Sequence, residues 1–305
     1  MIKLSNLKLR YTITRLNRLD PEKADYEYIK RTYNTMLPGL GVIINTTKST
    51  EMFFRTRVNP SSKPSKIEEV AAPPAKFIKG YQRCNPPSKP MFYTASKRLT
   101  SILECNVQKG DTIYLSQWMG KGKLPINGIL DENALKEANF TYSEHETTIH
   151  TYFDTLFTRR IHSKFSSDYK FTSAATEVMT TNFTPGDYNI QTDKTVGLRY
   201  PSVHDIQNSY NTVWHTEISE SMFEIIHLLE ARVTKAQGHD IELEVIDTAV
   251  NFNDGKIHWL GDPTQLPEMI PDKSRVPFIK TDSGWTLPIR DKTLTANEMS
   301  SFLNE

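Results

Sequence analysis

Gly80-Tyr81-Gln82-Arg83-Cys84-Asn85-Pro86-Pro87, followed by Phe92-Tyr93-Thr94-Ala95-Ser96 and then Glu104, is the stretch that decides how this chain reads. It sets a guanidinium, a phenol and a carboxylate among turn residues, which bring side chains to the edge of a cleft rather than into a core. A guanidinium fork matches phosphate oxygens, and a phenol offers a flat face to an aromatic ring. A carboxylate can balance positive charge developing at a sugar carbon. Together they point to a nucleotide whose glycosidic bond is broken.

Each of these residues also has a plainer reading. Arg83 can be a surface arginine on a turn. Arg55 follows Phe53 and Phe54 on a strand expected over residues 52–58, where its head either reaches a cleft or snorkels to solvent from the sheet edge. Tyr93 lies between Phe92 and Thr94 on a strand expected over 91–95, so core packing competes with stacking on a ligand. Glu104 falls on the apolar face of a helix expected over 97–106, capped by Ser96, with Leu99, Ile102 and Leu103 inward. A carboxylate there is costly unless it is paired or useful.

Around this centre the chain alternates helices and strands. A helix is expected from Pro21, with Tyr26, Ile29, Tyr33 and Met36 at helical spacing and Pro38-Gly39 as its stop. Further helices are expected over 132–138, 144–160 and 172–182, and periodicity suggests another over 222–233. Strands are expected over 112–118, 196–200 and 241–249, with Asn253-Asp254-Gly255 turning into 256–260. Residues 59–76 carry four prolines and read as a loop over the cleft. The Gly- and Lys-rich stretch 119–128 reads as exposed, and 263–277 is a proline-rich tail.

The 305 residues are 37% hydrophobic and 24% charged, with a formal net charge of +1, which suits a globular chain without a basic footprint. Two cysteines, Cys84 and Cys105, make no disulfide framework and read as reduced thiols. Neither an apolar signal core nor a run of about eighteen apolar residues occurs, so a cytoplasmic protein is expected, with no membrane contact and no direct nucleic-acid binding. Two motif look-alikes fail on spacing. His145-Glu146-Thr147-Thr148-Ile149-His150 has one residue too many for a zinc pair on one helix face, so no metal is expected. Gly120-Lys121-Gly122-Lys123 lacks the spacing and the hydroxyl of a phosphate loop.

The ordered set Phe53-Phe54-Arg55, residues 80–87, Phe92-Tyr93-Thr94-Ala95, Leu103-Glu104 and Gly197-Leu198-Arg199-Tyr200-Pro201-Ser202, with Asn211 beyond, resembles the RES-domain proteins over residues 50–215. The resemblance implies an α+β fold like that of ADP-ribosyltransferases, a split antiparallel sheet with flanking helices around an NAD cleft. It implies a catalytic domain over 51–225, between a helical appendage at 1–50 and a β-rich extension at 226–305 packed on the same core. It also implies an NAD-degrading toxin, with water or phosphate as acceptor and NAD as substrate rather than cofactor. Glu104, Arg83 and Tyr93 would be catalytic, and Arg55, Arg83, Tyr93, Ser202 and Ser173 would hold NAD. An Xre-type helix-turn-helix antitoxin would be the partner, and a homo-oligomer is open. Here Tyr81-Gln82 stand in place of a Gly and Cys84 in place of Trp, and Ser173 lacks a nearby Gln. A protein ADP-ribosyltransferase, a zinc hydrolase and a non-catalytic interaction module are the alternatives.

Overall fold

Short polar caps start the first two helices. In the computed structural model α1 (Asn6–Asn17) begins at Ser5, whose hydroxyl accepts from the Lys8 N–H. Helix α2 (Tyr26–Met36) begins at Asp25, whose carboxylate accepts from the Tyr28 N–H at 2.6 Å. The helix expected from Pro21 therefore starts later. Asp20 instead closes a separate turn, its side chain accepting from Glu22 N–H and its carbonyl from Lys23 and Ala24. The structure describes residues 4–37, 44–46, 51–122, 124–129, 139, 141–180, 195–204, 209–261, 279–281 and 284–286. The helix expected over 132–138, the Pro38-Gly39 stop and the proline-rich 263–277 lie outside them.

The chain divides into two compact units, each assembled from three segments: Met1–Thr47, Pro73–Tyr93 and Lys123–Glu220 in the first, Lys48–Ala72, Thr94–Gly122 and Ser221–Glu305 in the second. The first unit holds α1, α2, and the strands β1 (Ile44–Thr46), β5 (Pro125–Gly128), β6 (Gly197–Pro201) and β7 (Tyr210–His215), side by side in that order. Only β5 and β6 run parallel among these pairs. Helices α4 (Glu144–Thr158) and α5 (Lys170–Thr180) complete the unit. Its core joins Leu9, Leu16, Ile29 and Tyr33 to Phe153, Phe157, Leu198 and Val213. The backbone of β6 closes tightly on β7: a Cβ at Gly197 would stand 2.7 Å from the Trp214 ring and 2.9 Å from the Val213 carbonyl. The stretch 119–128 is not an exposed loop. Lys121 is exposed, but Leu124 and all four β5 residues are buried, because β5 is paired on both edges.

In the second unit β2 (Met52–Val58), β4 (Thr112–Gly120), β8 (Phe223–Gln237), β9 (Asp240–Asn251) and β10 (His258–Trp259) follow one another, all antiparallel. Strand β3 (Met91–Ala95) ends here, with Ala95 opposite Phe54. The six-residue helix α3 (Arg98–Leu103) covers one face, where Phe54, Ile102, Ile113, Leu115, Ala231 and Val233 form a core. The helix expected over 222–233 is strand β8 instead; helix α6 (Thr216–Met222) stops where β8 begins. Flanked by β4 and β9, β8 buries residues of both faces, so its apolar run has no two-residue alternation to show.

The segment 59–72 is stitched to this same unit. Ser65 and Pro64 carbonyls accept from Ile257 N and Trp259 Nε1 at 2.8 Å each. Lys63 Nζ meets Glu230 Oε2 at 2.7 Å and Asp247 Oδ2 at 2.6 Å, 4.2 Å from the centre of the Trp259 ring. Both carboxylates are buried. Burial pushes the Asp247 carboxyl up, but hydrogen bonds from Lys63, Gly261 N–H and Thr248 N–H outweigh it and hold it below its ordinary value. Among the described residues, no helix is long and apolar enough to cross a membrane.

Lys63→Ala leaves two buried carboxylates facing each other without their cation. Because the Lys63 side chain is 39% exposed and partly screened, the loss should be about 2 kcal/mol, below the range for fully buried pairs. The stabilisation from a depressed carboxylate is present above its unfolded value and lost as pH falls through the folded one. Chemical denaturation at several pH values should therefore show the gap between wild type and variant widest near neutrality and narrowing below about pH 4.

Candidate functional site

Residues 80–87 fold back on themselves, with Gln82 N donating to Asn85 O at 2.9 Å and Asn85 N to Gln82 O at 3.4 Å. The Tyr93 hydroxyl holds this turn. It accepts from the Cys84 N–H at 2.9 Å and donates to Asn85 Oδ1 at 2.6 Å. Burial keeps the phenol well above its ordinary value, so it stays a donor. Cys84 lies behind it, buried, with its thiol against Thr176 and Tyr200; burial pushes that thiol up to about 11. It is a packed, protonated group at neutral pH and not a nucleophile.

The turn carries Arg83 to the end of α4. Its Nη1 donates to the Phe157 carbonyl and to the Arg159 carbonyl at 3.2 Å, two acceptors left over where that helix stops. Its guanidinium lies 5.3 Å from the centre of the Tyr169 ring. Nε and Nη2, the edge that makes side-on paired bonds to an oxyanion, make no hydrogen bond among the described residues. No local pattern in the chain signals that half of this guanidinium caps a helix.

Ser173 and Ser202 are both fully buried. On α5, Ser173 Oγ sits 3.0 Å from the Tyr26 hydroxyl, which donates to Glu177 at 2.9 Å. Lys30 and Lys89 reach the other Glu177 oxygen at 2.9 and 3.0 Å. Burial works against the Glu177 charge, and its bonds from Lys30, Lys89 and Tyr26 overcome that and lower its pKa. This carboxylate-centred network was not anticipated from the sequence, although Tyr26/Lys30 and Ser173/Glu177 both carry helical i,i+4 spacing. Ser202 accepts from the His204 N–H at 3.1 Å, an ordinary serine turn. Arg83 and Tyr93 thus meet directly at Cys84. Ser173 stands three residues from Thr176 on α5, and Ser202 two residues from Tyr200, the other two neighbours of that thiol.

In the second unit the other cysteine, Cys105, follows Glu104 directly in the chain and feels the charges of Glu104 and Arg55. Phe54 and Thr56 face α3, with Thr56 Oγ1 2.8 Å from Ser101 Oγ, so the pleat turns Arg55 the other way. Cys105 Sγ contacts the Thr56 carbonyl at 3.5 Å. Burial pushes the Cys105 thiol up to about 11, with Arg55 pulling it down and Glu104 pushing it up, which puts both side chains within electrostatic reach of one sulfur. Glu104 is not inside the apolar face of α3. It occupies the C-terminal cap and is partly exposed, while Lys97 rather than Ser96 stands at the N-terminal cap. Deeper in this unit Arg98 bonds Gln117 at 2.6 Å, and its charge adds to burial in lowering His227 to about 3.

His145 and His150 are both buried on α4. Among the described residues, no group of three or more His, Cys, Asp or Glu side chains is arranged to hold a metal. The chain matches no protein-family model and no curated protein sequence.

Tyr93→Phe separates the two readings of that ring. Phenylalanine keeps the aromatic face but strands the Cys84 N–H and the buried Asn85 side chain. Chemical denaturation should show a loss of about 1–3 kcal/mol. Unchanged stability would mean that the turn holds without the hydroxyl.

Proposed function

We propose that this chain is an NAD-consuming toxin of the RES type with an ADP-ribosyltransferase-like fold. It would cleave the nicotinamide–ribose bond with water or phosphate as acceptor. The observation that carries the reading is the state of Arg83. It stands at the motif position, oriented by two helix-end carbonyls, with its Nε–Nη2 edge making no hydrogen bond among the described residues. A preoriented fork loses less freedom on gripping a phosphate than a mobile one. The ordered motif residues add to this, as does the mixed, mostly antiparallel sheet.

Each unit, taken by itself, carries part of the chemistry. In the first, Arg83 offers two parallel donors to a phosphate, and Tyr93 acts by fixing the turn from which that arginine projects. In the second, the partly exposed Glu104 carboxylate supplies negative charge against an oxocarbenium-like carbon, and Arg55 supplies a second cation for phosphate. Such an enzyme would deplete its own cell, so a restraining partner belongs to the proposal, an Xre-type helix-turn-helix protein. A protein ADP-ribosyltransferase would share these groups but pass the ribosyl to a macromolecule. One observation favours a non-catalytic interaction module instead: the hydroxyl of Tyr93, a ring expected at the ligand, accepts from and donates to the turn itself.

The test is to incubate purified protein with NAD, with and without phosphate, and follow nicotinamide by chromatography. Wild type should release it. Glu104→Gln should slow release on the order of a hundredfold or more with melting unchanged, and Arg83→Lys should weaken NAD binding because an ammonium cannot make paired bonds. No nicotinamide from wild type sinks the enzymatic reading and leaves the interaction module.

A further inference from the structure

The net charge of the whole chain conceals a local one. Residues 73–90 hold four lysines and arginines and no acid, and residues 158–170 hold four against the single acid Asp168, in a chain whose totals are 37 and 36. The fold of the first unit brings these two segments together. A Cβ at Gly80 would stand 3.4 Å from Ser166 Oγ, Arg83 lies over the Tyr169 ring, and Lys170 Nζ lies 5.7 Å from the centre of the Tyr81 ring.

Some of these cations have work inside the protein: Lys89 is bound to Glu177, and Lys170 donates to the Glu22 and Ala24 carbonyls. Lys76, Lys79 and Lys164 are exposed and make no ion pair among the described residues. Beside them stand Phe77, 64% exposed, and Phe165, 59% exposed. Among the described residues these are the phenylalanines that face solvent, and each adjoins or lies near one of those lysines. Exposed aromatic faces interleaved with cations suit a polyanion that also carries flat rings. Acidic peptides would use the lysines but gain little from two isolated rings, and duplex DNA hides its ring faces in the stack.

We propose that this surface of the first unit binds single-stranded nucleic acid, the lysines meeting phosphates and Phe77 and Phe165 stacking on bases. Such a partner departs from what the net charge implies. The proposal stands apart from the NAD reading, since none of its five residues is assigned a role there.

Fluorescence anisotropy of the full chain with labelled DNA and RNA strands of about twelve nucleotides, a matched duplex and a polyglutamate peptide tests it. The single strands should bind most tightly, with the logarithm of the binding constant falling linearly with log salt. Phe77→Ala and Phe165→Ala should each weaken binding on the order of tenfold or more, and Lys79→Glu with Lys164→Glu should flatten the salt dependence. All four positions are exposed, so melting temperatures should not move. Absence of single-strand binding at low salt overturns the proposal. So does equal binding of polyglutamate with no effect of the phenylalanine variants, which would mark the surface as one for an acidic protein segment.

Discussion

The turn that carries Arg83 is held by the hydroxyl of Tyr93. Tyr93 Oη, between an N–H it accepts from and a carbonyl oxygen it donates to, ties strand β3 to the 80–87 turn. The buried Cys84 and the Tyr81 ring, 5.4 Å from that of Tyr26, seat the turn on the core, and the hydroxyl fixes its backbone. With the turn fixed, Arg83 reaches the end of α4 and satisfies carbonyls that the helix cannot satisfy itself. The arginine and the helix therefore order each other: one supplies donors, the other a fixed direction. A lysine would bring charge to the same place but no planar fork to divide between a helix end and a ligand.

The two cysteines show how burial and charge are balanced elsewhere. Neither thiol is set up to react, since both are pushed up to about 11. Their interest is positional, as Cys84 gathers Arg83, Tyr93, Thr176 and Tyr200 around it, while Cys105 sits in the combined field of Arg55 and Glu104. Buried and partly buried carboxylates are treated differently. Glu177 and the Glu230–Asp247 pair are each met by lysine and by neutral donors, so the cost of removing them from water is offset by directed bonds rather than by neutralisation.

The sequence was most legible where local chemistry alone decides. Strand β2, strand β3, helix α4 and the turn at Asn253-Asp254-Gly255 follow from alternation, helical spacing and turn residues, and all lie where expected to within a few residues. Failures fall where tertiary context overrides those signals. Strand β8 is covered on both faces and loses the alternation that would mark it. Strand β5 looks polar and glycine-rich but gains two neighbours that no local pattern announces. Arg83 was conspicuous as a site residue, yet its engagement with Phe157 and Arg159 spans more than seventy positions and leaves no mark in spacing. The same distance hides the basic surface, whose halves lie far apart in the chain and whose charge is offset in the total by acids elsewhere.

The division of each unit into three chain segments bears on how the molecule is made. Strand β2 emerges from the ribosome early, its partner β4 some sixty residues later, and β8 only after a further hundred. Until β8 arrives, β4 presents a nine-residue edge with unpaired backbone groups and several apolar side chains. Open edges of this sort template association between nascent chains. Ribosome-stalled or prematurely terminated products would therefore be candidates for chaperone capture, and truncation ahead of residue 223 would remove the strand that seals the edge.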